Sequence, residues 1–350
     1  MQMYLYGAGI VAYGAYKALR EIWRATVKGF LVTDQDGQPD QIEGIPVCSL
    51  EKCGSDLAKS LILIATPEEY QDSIEQELIR RGLSNYKKLH SHLEYELMGK
   101  YLKKIQGLSL IEDFRESEEG VRLDDICVYM ALSHKDKELS KKYLEEPWVK
   151  KIQVGAALTD TKLLKLTDEG EDSLSAENAL YGELTASYYA WKYNKRKITG
   201  LFHYRRVLRI TRKQLYLLET GEIDVVLPLP FVCFPDASGQ YGRYLLPDDV
   251  EVMKRVLEKW EPEEYGRFAA ILRTPYLYNY NMLIARKEVF DDYCGWIFPL
   301  LKEITKKSEE IEGDRLPRYI GRIGEVLTSL YFMRNRKGWK ITHGEKVWRV

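Results

Sequence analysis

A stretch of nine residues, GLFHYRRVL at positions 200–208, places polar and charged side chains directly after an apolar run. The apolar part predicts a buried strand. Four side chains follow at its end: His203, Tyr204, Arg205 and Arg206. Because the planar fork of an arginine forms paired, charge-assisted hydrogen bonds with phosphate, we expect Arg205 or Arg206, with His203, to bind a diphosphate.

Two considerations limit this interpretation of the arginine pair. Ion pairs with structural carboxylates would also account for both arginines. In addition, adjacent side chains on a strand point to opposite faces of the sheet. Simple strand geometry therefore lets at most one of Arg205 and Arg206 reach the same phosphate.

A second group of polar residues follows another predicted strand, DICVYMAL at residues 125–132. The loop after this strand carries His134, Lys135 and Asp136. Ligand sites of α/β sheets normally lie at the ends of strands, so we expect these three residues to contact a nucleoside. A solvated loop of mixed charge is the alternative.

The spacing of apolar residues predicts one helix that Ser175 can cap. Its apolar stripe consists of Leu180, Leu184, Tyr188 and Trp191. The opposite face is small or polar and consists of Asn178, Gly182, Thr185 and Ala186. Such a face allows either a ligand or another element of the fold to approach closely. Glu183 flanks this helix and is either a hydrogen-bond acceptor for a ligand or an exposed acid.

Three further features lie in the C-terminal half of the chain. A predicted strand contains Asn281, and a predicted helix, GRIGEVLTSLYF, carries Glu325 near its start. Glu325 is a candidate general base, although the helix dipole would stabilise any acid in a first helical turn. The segment 231–249 is rich in Gly, Pro and aromatic residues, and we predict that it closes over the site as a mobile lid.

The N-terminus contains a glycine-rich turn between a predicted strand and a predicted helix. Gly7 and Gly9 with Ala12 form a G-x-G-x-x-A pattern, which allows backbone N–H groups to approach a phosphate. Asp34 ends the second predicted strand, where such folds often hold a ribose hydroxyl. This region resembles the nucleotide-binding module of bacterial sugar-modifying enzymes, in which it either binds a nucleotide or serves as a scaffold.

Length and composition indicate two α/β domains. Alternating strands and helices predict a Rossmann-like parallel sheet at residues 1–95, followed by a charged linker at 96–122 and a second α/β domain at 123–350. The 52 basic and 53 acidic residues leave no net charge that would drive nonspecific binding to nucleic acid. Five scattered cysteines predict neither a disulfide framework nor a zinc site and favour a reducing cytosol. No signal peptide or transmembrane segment is predicted.

Seven stretches together resemble a known family, the bacterial GT-A-like glycosyltransferases of capsule and exopolysaccharide clusters catalogued as DUF4422. In chain order they are VYMALSHKDKEL, IQVGAAL, DSLSAENALYGELTASYYAWKY, GLFHYRRVL, DVVLPLP, YNMLIARKEVFDDYCGWIFPLL and RIGEVLTSLYF. They cover nearly all of residues 125–335. The resemblance implies a GT-A-like domain whose site residues include Asp172, Ser175, Asn178, Glu183, Thr185, Trp191, Lys192, His203, Tyr204, Arg205, Arg206, Asn281 and Glu325.

The resemblance implies a hexosyltransferase that moves a sugar from a nucleotide sugar, with a UDP-sugar as the expected donor, to a lipid-linked surface polysaccharide. Glu325 would take the acceptor proton or stabilise an oxocarbenium-like transition state, and Asn281 would orient the sugar. Such an enzyme would work in the cytoplasm or at the inner face of the membrane, alongside other polysaccharide-assembly enzymes.

Enzymes of the GT-A type usually hold the donor diphosphate through a divalent metal on a D-x-D motif. The only tight D-x-D here, Asp34 to Asp36, lies in the predicted first domain. We therefore expect the arginines to replace or supplement a manganese or magnesium ion.

Two departures from the family pattern concern the donor. Tyr189 and Tyr193 stand where the family often has tryptophan and asparagine, so a particular donor sugar is not inherited. Two other functions stay open. One is a nucleotide-cofactor enzyme of the NAD type in the first domain, with the second as support. The other is a non-catalytic assembly factor of polysaccharide biosynthesis.

Overall fold

The computed structural model describes residues 2–53, 57–139, 142 and 144–349. Apolar runs such as LILI alternate with amphipathic segments in its N-terminal part, and they form strands and helices respectively. These elements are β1 (Gln2–Tyr6), α1 (Ile10–Trp23), β2 (Thr26–Val32), β3 (Gln41–Ile42), β4 (Ile45–Ser49), β5 (Leu61–Ile64), α2 (Glu68–Arg80), β6 (Tyr86–Lys88) and α3 (Ser91–Gln106).

The first sheet has six strands in the order β3-β4-β2-β1-β5-β6. The central strand β1 pairs in parallel with β2 and β5, and β4 and β6 extend the parallel arrangement on either side. Helices cover parallel strands on both faces, which is why these strands read as continuous apolar runs. The predicted α/β class with a parallel sheet is confirmed.

The second part of the chain contains strands and helices in mixed order. They are β7 (Ile126–Leu132), β8 (Val149–Gln153), α4 (Asn178–Tyr181), α5 (Leu184–Tyr193), β9 (Ile198–His203), β10 (Arg206–Arg209), α6 (Arg212–Thr220), β11 (Val225–Pro228), β12 (Phe231–Val232), α7 (Ala237–Tyr241), α8 (Pro247–Trp260), α9 (Tyr265–Leu272), β13 (Tyr276–Leu277), β14 (Leu283–Arg286), α10 (Lys287–Ser308), α11 (Tyr319–Arg334) and β15 (Ile341–Trp348).

The second sheet has seven strands in the order β10-β15-β11-β14-β9-β7-β8. Strand β7 lies parallel to both β8 and β9, whereas β14 runs antiparallel to β9 and β11. Because β7 and β9 are parallel, the loops that follow them lie at the same edge of the sheet. The backbone N–H of Tyr204 donates to the carbonyl of Ala131 over 3.1 Å, which joins the two loops directly.

The single helix predicted after Ser175 is wrong in one respect, because it is broken at Gly182. This glycine adopts φ 58° and ψ −134°, so α4 ends before it and α5 begins after it. Glycine reaches positive φ without steric cost, and the spacing of apolar residues cannot reveal that choice. Ser175 caps neither helix, since its hydroxyl donates to the buried carboxylate of Asp168. The break places Glu183 at the start of α5.

One disulfide departs from the expectation drawn from the scattered cysteines. Cys48 and Cys53 are joined across the turn that follows β4, with their Cα atoms 6.0 Å apart. The turn brings two side chains together that sequence spacing alone does not pair. Cys127, Cys233 and Cys294 are buried and free. Within the described residues, the model contains no helix long and apolar enough to cross a membrane.

Replacement of Gly200 in the central strand β9 should destabilise the chain, because the neighbouring strand approaches too closely for a side chain. A Cβ placed on Gly200 would lie 2.2 Å from the carbonyl oxygen of Leu283. We expect Gly200→Ala to lower the free energy of unfolding by about 2–3 kcal/mol, as overpacking does. Urea unfolding measures this change.

The matched control is Gly295→Ala in α10, where a Cβ would meet no atom within 4 Å. In a helix interior this replacement should raise stability by roughly 0.5–1 kcal/mol. Equal unfolding curves for Gly200→Ala and the wild type would contradict the tight β9–β14 packing.

Candidate functional site

The arginine pair lies on a hairpin rather than along one strand. Strand β9 ends at His203, Tyr204 and Arg205 form the turn, and β10 begins at Arg206, which pairs with His203. Alternation along a strand therefore does not apply across the pair. Both guanidinium carbons lie near the ring centroid of Trp348, at 5.5 Å for Arg205 and 4.0 Å for Arg206. The expectation that simple strand geometry separates the two arginines is thus wrong.

Arg206 is held between two aromatic rings. Its guanidinium carbon lies 4.0 Å from the ring centroid of Trp348 and 4.3 Å from that of Tyr280. Its Nε is buried without a hydrogen-bond partner, and no ion pair of Arg206 is found among the described residues. Burial lowers the pKa of this guanidinium from its usual value, although an arginine stays charged at neutral pH. Arg206 is therefore a largely desolvated cation without a carboxylate partner.

Arg205 forms a long, partly exposed ion pair with the first part of the chain. Its Nη1 lies 3.9 Å from a carboxylate oxygen of Glu69 in α2, and both side chains are 37% exposed. A pair with this exposure contributes little to stability. The alternative explanation by structural ion pairs therefore accounts poorly for Arg205 and does not account for Arg206.

The backbone of Tyr280 connects two of the candidate side chains. Its N–H donates to Oε1 of Glu325 over 2.8 Å, and its carbonyl accepts from Nε2 of His203 over 2.6 Å. Tyr280 and Asn281 have φ values of 77° and 51°, so both are left-handed. Such conformations are unfavourable for residues with a side chain and concentrate at functional sites. The strand predicted around Asn281 is wrong, because Asn281 lies in a turn between β13 and β14.

Asn281 holds Glu183 in place. Its side-chain nitrogen donates to Oε1 of Glu183 over 2.9 Å and to the carbonyl of Gly321 over 3.1 Å. Both amide hydrogens are used in these contacts. The same Glu183 oxygen lies 3.7 Å from Nε2 of His203. Asn281 therefore contacts the carboxylate, and its role in orienting a sugar stays a prediction.

The pKa values of two buried groups near this amide, Glu183 and His203, are lowered. Burial alone would raise the pKa of Glu183, but His203, Arg318 and the Asn281 hydrogen bond together lower it. Burial also lowers the pKa of His203, against the opposing charge of Glu183. Nε2 of His203 carries a proton, because the Tyr280 carbonyl with which it forms a hydrogen bond can only accept.

The pKa of Glu325 is shifted in the opposite direction. Burial raises its pKa to about 7, against the lowering effect of Arg322, whose Nη1 is 4.0 Å away. Because α11 begins at Tyr319, Glu325 lies in the second helical turn, and a dipole effect on a first-turn acid does not explain its position. A carboxyl group with this pKa can take up or release a proton at neutral pH.

The loop after β7 adjoins the arginine hairpin, as its position at the same sheet edge requires. Asp136 accepts a hydrogen bond from the Ser133 N–H over 2.7 Å, and burial raises its pKa, against a hydrogen bond from Tyr204. Nδ1 of His134 is buried without a partner, whereas Lys135 is exposed. The structure therefore brings Asp136 and His134 close to the hairpin.

Two predicted site residues have other contacts. Asp172 accepts from the Tyr188 hydroxyl over 2.7 Å and pairs with Lys192 over 2.9 Å. Asn178 donates to the carbonyl of Gly182 over 2.7 Å. Asn178 thus stabilises the turn at Gly182, which directly precedes Glu183. Asp172 contacts two residues of α5 and thus stabilises that helix.

The N-terminal candidates line a separate cleft of about 540 Å³. Gly7, Gly9 and Asp34 face this cleft, whereas Ala12 is fully buried beneath it. Asp34 also accepts from the N–H of Asp36 over 3.0 Å in a surface turn.

The segment 231–249, predicted to be a mobile lid over the site, forms β12 and α7 and continues into α8. Its residues Gln240, Arg243 and Tyr244 line the cleft of the first sheet. Its apolar side chains pack into the core of the second sheet. Mobility of this segment stays a prediction.

Sequence reasoning missed three residues of the site. Tyr280 and Trp348 flank Arg206, and Arg318 acts electrostatically on Glu183. The alternation in the C-terminal KVWR could have indicated that Trp348 lies on one face of an edge strand. Nothing in the sequence indicates that Tyr280 and Arg318 have left-handed backbones.

The side chains beside the arginines do not suit a divalent metal. The hairpin contributes cationic groups, and Glu183 and Glu325 each accept hydrogen bonds from the protein. Within the described ranges, no three His, Cys, Asp or Glu side chains are grouped so that they could hold a metal ion.

Comparisons with known proteins agree with this fold. A family model described as a domain of unknown function, DUF4422, matches residues 128–336. The chain is also similar to the apo structure of the bifunctional glycosyltransferase WbbM, with a TM-score of 0.55 and 24% sequence identity over 64% of this chain. It spans 45% of that protein, and at this identity the likeness shows a shared fold. No curated protein matches.

Replacement of Glu325 should stabilise the chain only at high pH. Because its folded pKa of about 7 lies above the unfolded value of 4.5, the unfolded chain ionises first, and stability falls as the pH rises between these values. Glu325→Gln removes this penalty and keeps an oxygen for the Tyr280 N–H. We expect a gain of roughly 2–3 kcal/mol at pH 8 and almost none at pH 5, since one pKa unit corresponds to about 1.4 kcal/mol.

Urea unfolding at the two pH values measures this gain. Glu258→Gln, at an exposed position of α8, is the control and should show no pH-dependent difference. A gain for Glu325→Gln that is equal at both pH values would contradict the raised pKa.

Proposed function

This chain belongs to the DUF4422 family, and on that premise we propose that it is a glycosyltransferase. The proposed reaction moves a hexosyl group from a nucleoside diphosphate sugar, with UDP as the expected nucleotide, to a lipid-linked surface polysaccharide. The acceptor hydroxyl attacks the anomeric carbon, the bond from that carbon to the β-phosphate oxygen breaks, and the nucleoside diphosphate leaves.

One observation carries the proposal: a guanidinium with an unsatisfied donor is held beside a titratable carboxyl group. Arg206 lies over Tyr280, whose N–H binds Glu325. The departing nucleotide gains negative charge, and preorganised donors that face this charge lower the barrier most in a site with little water. Aromatic rings on both sides of Arg206 exclude water and leave its charge for the ligand.

Glu325 is the proposed acceptor of the proton from the attacking hydroxyl. Its pKa of about 7 means that a substantial fraction is ionised at neutral pH and that the protonated product form is also accessible. When ionised, it also faces the positive charge that develops on the sugar ring. His203 binds the backbone carbonyl of Tyr280, the residue whose N–H binds Glu325. Glu183 in turn lies 3.7 Å from His203.

The remaining parts of the proposal concern location and partners. A lipid-linked acceptor implies that a cytoplasmic enzyme meets its substrate at the inner face of the membrane, beside other polysaccharide-assembly enzymes. We also propose a nucleotide-binding role for the module at residues 1–95, supported by the cleft that Gly7, Gly9 and Asp34 share. The linker at 96–122 would join it to the transferase domain at 123–350.

A screen of UDP-, GDP- and dTDP-sugars, with and without manganese, tests the proposed function. A ligand that binds the folded state must raise the melting temperature. We expect at least one nucleotide sugar to do so and to release its nucleoside diphosphate when acceptor is present. A chain that none of these donors stabilises, and that releases no nucleotide, would not be a glycosyltransferase of this class.

Removal of the Arg206 guanidinium should abolish most of the transfer. We expect Arg206→Ala to remain folded and to lower kcat by a factor of about 10²–10³, the loss typical of one removed donor at a developing charge. Arg209→Ala is the control, because Arg209 lies on the same strand with a side chain that is 61% exposed and pairs with Glu345. Normal transfer by Arg206→Ala and by Arg205→Ala would rule out the diphosphate role of the hairpin.

A further inference from the structure

Left-handed backbones concentrate around the candidate site. Six non-glycine residues of the described chain have positive φ: Arg24, Glu43, Tyr280, Asn281, Arg318 and Asn335. Two of them, Tyr280 and Asn281, form the turn beside Glu325 and Glu183. A third, Arg318, has φ 65° immediately before α11. Because an L-residue adopts this conformation only when its surroundings impose it, its position near a reacting centre calls for a functional explanation.

The surroundings of Arg318 fix its backbone firmly. Its N–H donates to the carbonyl of Ala179 in α4 over 3.0 Å, and its own carbonyl accepts the first hydrogen bond of α11, from Arg322. Three residues earlier, Nε of Arg315 donates to both carboxylate oxygens of the buried Asp249, at 3.0 and 2.9 Å. The segment before α11 is thus attached at both ends, and Arg318 is placed with little freedom.

The side chain of Arg318 lies against Gly182. A Cβ placed on Gly182 would lie 3.4 Å from Nε of Arg318, which is an ordinary contact distance. The next residue along the chain is Glu183. The charge of Arg318 acts on Glu183, on His203 and on Asp136, three groups that adjoin the arginine hairpin. Among the described residues its guanidinium has no ion pair, and the residue is exposed.

We propose that Arg318 is a third arginine of the donor site and binds the diphosphate of the nucleotide sugar from the N-terminal end of α11. Arg206 lies in β10, so the two planar forks belong to different elements of the fold. Two forks can bind the oxygens of both phosphates, which a single fork cannot. This inference rests on the proposed sugar transfer and names a residue that no sequence pattern identifies.

The left-handed backbone of Arg318 is held by the Ala179 carbonyl and by the first hydrogen bond of α11, and the side chain lies against Gly182, the residue before Glu183. The charge of Arg318 also lowers the pKa of Glu183. The experiment must therefore separate contact with phosphate from an indirect effect through that carboxylate.

The decisive variant is Arg318→Gly. Glycine accepts the left-handed backbone, so this replacement should raise the melting temperature while it removes the guanidinium. Arg24→Gly is the matched control, because Arg24 is another exposed arginine with left-handed φ, at the C-terminal end of α1. The probes are UDP, GDP and dTDP with the corresponding monophosphates and nucleosides, whose dissociation constants are measured by calorimetry.

We expect both glycine variants to remain folded and to melt at or above the wild-type temperature. Arg318→Gly should raise the dissociation constant of the preferred diphosphate by roughly tenfold to a hundredfold, as the loss of hydrogen bonds to a charged group does. The nucleoside should lose less than about twofold, and Arg24→Gly should bind all probes as the wild type does. Arg318→Lys should fall between the wild type and Arg318→Gly, since it keeps the charge and loses the fork.

Three outcomes would overturn the inference. Wild-type affinity for the diphosphate in Arg318→Gly would remove Arg318 from the site and leave the proposed function standing. An equal loss for the nucleoside and the diphosphate would assign Arg318 an indirect role in shaping the cleft. A wild-type chain that binds none of the nucleoside diphosphates would overturn both the inference and the proposed function.

Discussion

The site depends on one cation that the protein removes from water without neutralising it. Arg206 lies between the rings of Trp348 and Tyr280, and its Nε has no partner in the described structure. A buried charge of this kind costs folding free energy unless a partner arrives. Ring faces reduce the cost through cation–π attraction but satisfy no N–H group. The fold accepts this cost at the place where an anionic ligand would be bound.

The same turn that supplies Tyr280 also separates the roles of two acids. Glu183 receives a hydrogen bond from Asn281 and has a lowered pKa, whereas burial raises the pKa of Glu325 to about 7. The pKa values of two neighbouring carboxyl groups are thus shifted in opposite directions. This difference is typical of sites where one acid stays charged and the other exchanges a proton. The left-handed backbone at residues 280–281 is what allows one turn to contact both groups.

The first sheet also takes part in the arrangement of charges. Glu69 in α2 lies 3.9 Å from Arg205, and Glu94 in α3 lies 3.7 Å from Lys346 in β15. Both carboxylates belong to the N-terminal part of the chain, and both face cations of the second sheet. A ligand that binds Arg205 would compete with Glu69 for the same guanidinium. The N-terminal unit therefore contacts the candidate site in addition to forming a cleft of its own.

The sequence by itself determined the α/β class, the parallel first sheet, the strand that ends in His203 and the resemblance that the DUF4422 match confirms. These follow from local patterns, because apolar runs, glycine turns and motif residues are properties of neighbouring positions. The tertiary structure alone decided that Gly182 breaks a helix, that Arg206 meets Trp348 and that Arg318 lies against Gly182. Backbone handedness and contacts between distant residues depend on packing against the whole fold, so residue spacing does not encode them.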